Sequence, residues 1–260
     1  MSEPFWRTSI SKVEPNKILV RGYNLMDLVG NHNYADLTYL LWRGELPSHN
    51  HSCMMDALLT VCLEHSLNAP SVDAARFVAS CGVPLQSAVS TGVAAIGDWH
   101  GGAIEQAAKM LQEAVVHMNG AHHSPRETAE EVLRELTNRR ERIPGFGHPT
   151  HTSDPRTKRL LEIAKETQLL GPHMELAQAM ESLTEKVLRK HLILNVDGCI
   201  AAIISDMGFD WRLGKGFFIV SRTPGLIAHA YEQMYSEKPY KSAPWDEIVY
   251  TGPPERQVTK

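Results

Sequence analysis

Apolar residues recur about every 3.6 positions along almost the whole chain, the spacing that gathers them on one face of an α-helix. The run at 35–47, ADLTYLLWRGELP, predicts a helix that ends near its glycine and final proline. The same pattern predicts helices at 55–65, 70–80, 83–97, 101–118, 124–141, 154–168, 173–190, 195–209 and 216–235. Only KILVRGYNL at 17–25 alternates like a strand. We therefore predict an all-α protein with one short β element near the N-terminus.

Two predicted helices differ in character from the others. The segment 83–97 is rich in small residues and apolar on most sides, which predicts a buried, closely packed helix. The segment 124–141 opens with a cap signal and is strongly charged, so we expect it to face solvent. The tail after Tyr235 is rich in proline and lysine and is expected to lie along a neighbouring surface.

Composition narrows the class of protein. The chain has 260 residues, of which 43% are hydrophobic, enough for one large domain or two smaller ones. The net charge of −4 gives no basic surplus of the kind that nucleic-acid binders carry. No apolar run reaches the ~18 residues of a membrane span, and the N-terminal residues lack the pattern of a signal peptide. We expect a cytoplasmic protein without membrane or nucleic-acid partners.

Common cofactor and metal motifs are not found. The four cysteines have no zinc-type spacing and are expected to be reduced and buried; they are Cys53, Cys62, Cys81 and Cys199. There is no phosphate-binding loop, no glycine-rich dinucleotide motif after a strand, and no GxSxG. The histidines at 49–51 and 122–123 fall in polar segments, where solvated loops are the favoured interpretation. We predict no metal site and no permanently bound cofactor.

Two histidines stand in unusual local settings. His100, in GDWHGGA, precedes a predicted helix, where a neutral imidazole is favoured over an imidazolium. It could donate to a carbonyl or could be a packing residue. His148, in IPGFGHPTHTSDPR, is flanked by glycine and proline, so it could closely approach a ligand or be an ordinary loop histidine.

Three charged residues also have two possible roles each. Asp197, after LILNV, could cap the next helix or act as a desolvated general base with a raised pKa. Arg156 could pair with a surface carboxylate or bind a ligand. Arg222 lies in a strongly apolar run, where a guanidinium needs an anion, either internal or from a ligand.

Seven segments, taken together and in order, resemble the citrate synthase family, and within it the citryl-CoA lyase branch, including the C-terminal domain of ATP-citrate lyase. They are ILVRGYNLMDLV, LLWRGELP, CLEHSLNAPS, GDWHGGA, IPGFGHPTHTSDPR, LILNVDG and VSRTPGLIAHAYEQ, with APWDEIVY as a further likeness near the end. The resemblance implies a mostly helical large domain, at 1–103 and 215–260, and a small helical domain at 104–214. It also implies a homodimer or higher even oligomer.

The resemblance implies a role for each candidate residue. His100, His148 and Asp197 would be catalytic, with His100 donating to a thioester oxygen and Asp197 moving the proton on carbon. His65, Arg156 and Arg222 would bind substrate carboxylates and the ketone oxygen. The coenzyme A (CoA) thioester would lie against Pro144, Gly145, Phe146, Gly147, Arg139, Arg140, Arg142 and Lys158. Lys238 and Lys241 would approach a carboxylate in the partner chain's site.

Two departures from the family pattern bear on the substrate. Pro149-Thr150-His151-Thr152 replaces the basic residues expected after the loop histidine, and Ser242-Ala243 stands where the family has a tail arginine. Lysine cannot reproduce the two-point grip of arginine on a carboxylate. A hydroxyacyl-CoA with one fewer carboxylate, of the citramalyl type, is therefore an alternative substrate.

The resemblance implies three possible functions. The favoured one is cleavage of citryl-CoA to acetyl-CoA and oxaloacetate, because the chain starts almost at the early β element, as the stand-alone lyase does. The second is a Claisen-condensing acyltransferase that uses the same residues. The third is a non-catalytic protein that binds CoA or carboxylates, which the complete set of acid–base residues disfavours.

Overall fold

The structure is a computed structural model that describes residues 4–148 and 152–258. This part of the chain is mostly helical, as predicted. Its α-helices are α1 (Leu25–Leu28), α2 (Tyr34–Arg43), α3 (His49–Val61), α4 (Pro70–Ala79), α5 (Leu85–Ala94), α6 (Ala103–Ala121), α7 (Pro125–Arg139), α8 (Pro155–Glu166), α9 (Pro172–Leu188), α10 (Val196–Asp206) and α11 (Gly214–Ser236). Short 3-10 turns occupy Ser66–Asn68, Trp211–Leu213 and Trp245–Glu247.

The predicted β element is a small antiparallel sheet of three strands, β1 (Ser11–Glu14), β2 (Lys17–Val20) and β3 (Tyr23–Asn24). In its register, Ser11 faces Val20 across one hairpin, and Val20 faces Tyr23 across the next. The continuous strand predicted at 17–25 is interrupted because Arg21 and Gly22 both adopt positive φ angles, 49° and 91°. Two such residues form the tight turn of a hairpin, which alternation of side chains alone does not reveal.

Helix ends follow the capping residues. Gly44, with φ of 88°, ends α2 as predicted, and Ser124 with Glu127 forms a capping box at the start of α7. The prediction of a polar loop at 49–51 was wrong. Ser48 caps α3, its Oγ accepting from the backbone N–H of His51 at 3.3 Å, so these histidines lie in the first turn of that helix.

The main hydrophobic core surrounds α10. Nine of its eleven residues are buried, which fits a helix that is apolar on all sides. Helices α6, α8 and α9 pack against it. Cys62 and Cys199 are buried as predicted, but Cys53 and Cys81 are exposed, on the outer side of α3 and just after α4. Apolar neighbours in sequence do not decide which side of a helix a thiol occupies.

A second packing unit contains α4, α5 and α11. Small residues bring these helices close together: a Cβ at Gly92 would lie 2.9 Å from the carbonyl oxygen of Ser71 and 3.0 Å from Ala75 Cβ. The prediction that the segment 83–97 is buried was wrong for the single chain, because only Ala88 and Gly92 of α5 are buried. One face of α5 packs inward, and Leu85 on another is 37% exposed.

The core crosses the predicted domain boundary near residue 104. Its buried cluster includes Tyr39 and Met54 from before the boundary, Leu111 after it, and Phe217 from α11. The division into a large domain (1–103 and 215–260) and a small one (104–214) stays a prediction. Among the described residues, no helix combines the length and the apolar character needed to cross a bilayer.

Candidate active site

Asp197 lies in the first turn of α10. Its backbone N–H and that of Gly198 donate to Asn195 Oδ1, at 3.0 and 3.1 Å, so Asn195 caps the helix. The capping interpretation of Asp197 is therefore wrong, and its carboxyl is available for another role. Burial raises the pKa of Asp197 to about 6, against the opposing charges of Arg156 and Arg222. Such a carboxyl can both give and take a proton near neutral pH.

Arg156 is held by a carboxylate of its own chain. Asp154, which is buried and caps α8, accepts from Arg156 Nε at 3.0 Å and from Nη2 at 2.9 Å. Asp154 also accepts from the backbone N–H of Val196 at 3.2 Å, so it ties Arg156 to the start of α10. Burial acts to raise the pKa of Asp154, but its bonds to Arg156 outweigh this and lower it. Arg156 Nη1 remains outside this two-point pair.

Arg222 is buried inside α11 with part of its hydrogen-bonding capacity unused. Its Nε donates to the carbonyl oxygen of Cys62 at 2.9 Å, and its guanidinium carbon lies 4.9 Å from the centroid of the Phe218 ring. Within the described residues, its buried Nη1 has no hydrogen-bond partner. Burial also lowers the pKa of Arg222. An unused donor on a buried guanidinium beside Asp197 fits a site for an anionic ligand.

His100 lies in a tight turn before α6, near the N-terminus of that helix as expected. Its Nε2 lies 2.7 Å from Ser71 Oγ and accepts the backbone N–H of Ser71 at 3.4 Å. An acceptor role at Nε2 places the proton of the neutral ring on Nδ1. Burial lowers the pKa of His100, and the charges of Arg222 and His65 lower it further. The ring is thus kept neutral and can donate from Nδ1.

Glycines allow the His100 turn to pack closely. A Cβ at Gly101 would lie 2.5 Å from Phe218 Cδ1, and one at Gly102 would lie 2.6 Å from Asp98 Cα. The ring of His100 meets the same Phe218 edge-on, with 5.4 Å between centroids. The glycines of GDWHGGA therefore set the position of the imidazole against α11.

His65 lies in the segment that follows α3 and is exposed. The carboxylate of Glu64 accepts from the His65 backbone N–H at 2.8 Å and contacts His229 Nε2 at 3.1 Å. Gly225 lets this segment lie against α11, since a Cβ there would lie 2.5 Å from the carbonyl oxygen of Leu63. His65 lies close enough to His100 to lower its pKa.

The loop that carries His148 is fastened to the segment before Asp197. The Gly147 N–H donates to the carbonyl of Ile193 at 2.7 Å, and Asn195 Nδ2 donates to the carbonyl of Gly147 at 2.8 Å. The backbone N–H of Asn195 also donates to the carbonyl of Gly145 at 3.0 Å. His148 follows directly and is half-buried. Residues 149–151, which include most of the departure from the family pattern, lie outside the described part of the chain.

Position 145 requires glycine for a structural reason that the sequence did not reveal. Its φ is +82°, and a Cβ there would lie 2.5 Å from Gly198 Cα. A Cβ at Gly198 would lie 2.3 Å from the carbonyl oxygen of Gly145. Two glycines facing each other let the histidine loop touch the first turn of α10. We expected these loop glycines to serve contact with a ligand, and at Gly145 the contact is with the protein itself.

Most of the predicted CoA-binding residues line two open grooves. The first, of about 930 Å³, runs between α6 and α7 and includes Trp99, with Arg142 5.2 Å above its ring. The second, of about 840 Å³, includes His148. The predicted residues on their walls are Arg139, Arg140, Arg142, Pro144, Phe146 and Gly147. Lys158 is exposed on α8 and lines neither groove, and Gly145 is buried beneath them.

The lysines of the tail interact within their own chain. The carbonyl of Lys238 accepts from Gln233 Nε2 at 2.9 Å, and Lys241 Nζ contacts Glu237 at 3.1 Å. The backbone N–H of Tyr240 donates to the carbonyl of Ser80 at 2.8 Å, which leads the tail along the end of α4. Beyond this point the described tail is exposed.

Three residues that position the site were not predicted from the sequence: Ser71, Glu64 and Asn195. Asn195 had a recognisable signal, because asparagine is among the strongest helix caps and stands just before an apolar helical run. Asp154 precedes a proline at the first helical position, which is also a cap signal. Ser71 and Glu64 had no such signal, since their partners lie far away in the sequence.

A mostly helical fold thus brings together a carboxyl with a raised pKa, a neutral imidazole and two guanidiniums. Such a set of side chains is typical of an enzyme that transfers protons next to carbonyl groups and binds carboxylates. Residues 47–243 match the family model "Citrate synthase, C-terminal domain". The chain belongs to the citrate synthase family, as the sequence motifs indicated.

Individual relatives refine the picture. The chain is 30% identical to a glyoxysomal citrate synthase of Cucurbita maxima over 88% of its length, but spans only 41% of that protein. The structure of a citryl-CoA lyase from Hydrogenobacter thermophilus is 42% identical, with a TM-score of 0.91 and 98% of both chains covered. An ATP citrate lyase from Methanothrix soehngenii, solved with citrate and coenzyme A, shares the fold at 24% identity and a TM-score of 0.83; the match covers 98% of this chain and 43% of that one.

Proposed function

We propose that the protein cleaves the carbon–carbon bond of a 3-hydroxyacyl-CoA in a retro-Claisen reaction, with citryl-CoA as substrate and acetyl-CoA and oxaloacetate as products. The observation that carries the proposal is the placement of Asp197, with its raised pKa, in a site whose imidazole is held neutral at His100. The likeness to a citryl-CoA lyase along both whole chains supports the choice of this reaction within the family.

The reaction begins at the alcohol. His148 takes the proton of the substrate hydroxyl, the carbonyl of oxaloacetate forms, and the bond to the acetyl carbon breaks. The electron pair of that bond becomes the enolate of acetyl-CoA. The hydrogen bonds from 193–195 to the Gly145–Gly147 loop hold His148 near Asp197, so both proton transfers act on one bound substrate.

His100 stabilises the enolate. Because Ser71 occupies Nε2, the Nδ1–H of the neutral ring is the donor to the thioester oxygen. A donor already oriented by the protein stabilises developing charge without reorganisation. Asp197 then protonates the carbon to give acetyl-CoA. His148 releases its proton and Asp197 regains one through solvent, which closes the cycle.

The remaining residues bind the substrate's anionic groups. Arg222 offers its unpaired Nη1 to a carboxylate, Arg156 is held in place by Asp154, and the exposed His65 is accessible to a carboxylate. Arg140 and Arg142, where the two grooves adjoin, are positioned for the CoA phosphates. No permanently bound cofactor enters these steps. The citramalyl-type thioester remains the alternative substrate.

We propose that the active form is a homodimer. Leu85 on the outward side of α5 is 37% exposed, and the tail exposes several large apolar side chains, with Trp245 91% exposed, as at surfaces that meet a partner. In such a dimer, Lys238 or Lys241 of one protomer would approach the site of its partner. Lys241 Nζ contacts Glu237 of its own chain and would have to exchange that partner, whereas Lys238 is bound by Gln233 only through its backbone carbonyl.

A condensing citrate synthase is the second candidate function. The 30% identical relatives with this name support it, and the same residues serve a reversible reaction in either direction. A non-catalytic CoA- or carboxylate-binding protein is the third, and the filled acid–base positions disfavour it.

The test incubates the protein separately with citryl-CoA and with acetyl-CoA plus oxaloacetate, while products and free CoA thiol are measured. We expect citryl-CoA cleavage without ATP. Asp197→Asn and His148→Ala should each lower the cleavage rate at least ~100-fold, because general acid–base groups contribute about 10²–10⁴-fold. Asp210→Asn, at an exposed ion pair with Arg212, is the matched control.

The outcomes separate the candidates. Faster condensation than cleavage at matched substrate concentrations favours the synthase. Turnover unchanged in both site variants would show that the catalytic assignment is wrong. Inactivity with both substrate sets would exclude citryl-CoA and direct the test to the citramalyl thioester.

A further inference from the structure

A second cluster of ligand-type side chains lies at the far end of the groove between α6 and α7. His117 is near the end of α6, His123 is in the connection, and Glu131 is in the second turn of α7. Their closest ligand atoms all lie within 4.8 Å of one another. None of the three is among the residues assigned above to catalysis or substrate binding.

The distances fit a small divalent cation. Glu131 Oε2 lies 3.4 Å from His117 Nε2 and 3.4 Å from His123 Nδ1. A tetrahedral zinc ion with bonds of about 2.0–2.1 Å separates its ligand atoms by about 3.3–3.4 Å. Two of the three distances between the ligand atoms therefore already match those of a tetrahedral zinc site. The imidazole planes cross at 85°, with 5.7 Å between centroids, so the rings can approach one ion without stacking.

The ring nitrogen of His123 points to a ligand independently of these distances. Its Nδ1 is buried and, within the described residues, makes no hydrogen bond. Buried polar atoms without a partner are uncommon in proteins, and coordination of a cation would satisfy the lone pair of this nitrogen. Glu131 Oε2, at 3.4 Å, is close enough to share a cation with it but lies beyond good hydrogen-bond distance.

The backbone around the cluster is already fixed. His122 ends α6 in a left-handed conformation with φ of 54°, and the N–H of His123 donates to the carbonyl of Met118 at 3.0 Å. The capping box of Ser124 and Glu127 follows at once and starts α7. Side chains on such a framework lose little further backbone freedom when they bind a ligand.

We propose that His117, His123 and Glu131 form a binding site for a zinc-type divalent cation. Two imidazoles and a carboxylate are ligands that zinc favours, and they leave a fourth position open towards the groove for water or an anionic ligand. The ion joins α6 to α7, the two helices whose groove also contains Arg139, Arg140 and Arg142. The site is independent of the proposed lyase reaction.

The first experiment measures zinc binding directly. Untagged protein is stripped with a chelator, dialysed with limiting zinc and analysed for bound metal and by calorimetric titration. We expect one zinc per chain at this site. His117→Ala and Glu131→Gln should weaken binding by at least ~100-fold, since losing even an outer-shell partner costs about 10–100-fold. His122→Ala, which removes a neighbouring histidine outside the cluster, should bind as the wild type does.

A second measurement reports the geometry and the link between the helices. Cobalt(II) in the site should give the intense visible absorption of a tetrahedral ion. Zinc should raise the Tm of the wild type and of His122→Ala, but not that of His117→Ala or Glu131→Gln. Circular dichroism checks that each variant is folded; His117 and Glu131 are both exposed, so their replacement should not unfold the chain. Equal zinc affinity in wild type, His117→Ala and Glu131→Gln would overturn the proposal, as would failure of wild type to bind zinc.

Discussion

At the scale of single residues, Asp197 carries a thermodynamic cost as well as a proposed catalytic role. Its folded pKa of about 6 lies above the ordinary value of 3.8, so its ionised form is disfavoured in the folded chain. Below pH 3.8 the carboxyl of Asp197 is protonated in both the folded and the unfolded chain, and the free energy of unfolding is at its highest with respect to this group. As the pH rises from 3.8 to about 6, that free energy of unfolding decreases. The full cost, about 3 kcal/mol, is reached above that range.

Replacing Asp197 with asparagine should therefore stabilise the protein at neutral pH. We expect the free energy of unfolding of Asp197→Asn at pH 7.5 to exceed that of wild type by up to about 3 kcal/mol. The difference should shrink as the pH falls from 6 towards 4. Urea unfolding of both proteins across this range measures it, with Asp210→Asn as the control. A difference that is constant with pH would contradict the raised pKa.

At the scale of elements, the start of α10 and the histidine loop form one unit. Asn195 caps the helix with its oxygen and clamps the carbonyl of Gly147 with its amide nitrogen, while Gly145 and Gly198 touch through their backbones. Asp154 joins the start of α8 to the same point through the N–H of Val196. The segments 143–156 and 193–198, which lie far apart in the sequence, thus fix the positions of His148, Arg156 and Asp197.

Asn195→Ala should separate this positioning role from ordinary capping. Loss of a helix cap costs about 1 kcal/mol, with a range of about 0.5–2. We expect Asn195→Ala to lose about that much stability and also to lower kcat more than tenfold, because the clamp on the Gly147 carbonyl is lost. Urea unfolding and initial rates of citryl-CoA cleavage provide the two readouts.

The matched control is Ser124→Ala, which removes the cap of α7 far from the site. It should cost similar stability and leave kcat within about twofold of wild type. If Asn195→Ala behaves in the same way as Ser124→Ala, Asn195 is only a cap.

At the scale of the whole molecule, the exposure of α5 bears on the proposed dimer. Its small and apolar residues predict burial, yet Leu85, Ser90 and Ala94 are not buried. The sequence of α5 is typical of a buried helix, but its own chain covers it on one side only. This combination favours a symmetric contact with a second copy of the chain.

Ser90→Arg should disrupt this contact. We expect the wild type to sediment as a dimer at micromolar concentration and Ser90→Arg to shift towards monomer, with lower activity if the partner's lysines complete the site. Ser182→Arg, on the outer side of α9, is the control and should remain dimeric. Analytical ultracentrifugation gives the answer; a monomeric wild type, or a fully dimeric Ser90→Arg, would refute the proposed interface.

The sequence predicted well those features that depend on neighbours along the chain. Hydrophobic spacing located the ten longer helices, and Gly44 and Ser124 marked helix ends because capping needs only adjacent residues. The motifs were sufficient to indicate the family. The hairpin at Arg21–Gly22 and the helical position of 49–51 were not predicted. Positive φ angles at Arg21 and Gly22 form the first, and the Ser48 cap starts the helix at the second, and the hydrophobic pattern shows neither feature.

Tertiary structure decided the state of each site residue. Burial raises the pKa of Asp197, Ser71 contacts Nε2 of His100, and Asp154 takes up two donors of Arg156. It also brought His117, His123 and Glu131 together, although the sequence favoured a solvated loop for the histidines at 122–123. Helix formation is set by local spacing, whereas pKa, tautomer and ligand geometry depend on desolvation and on contacts between residues far apart in the chain. The sequence by itself therefore determined the helical fold and its family, and only the folded structure determined the chemistry available at each side chain.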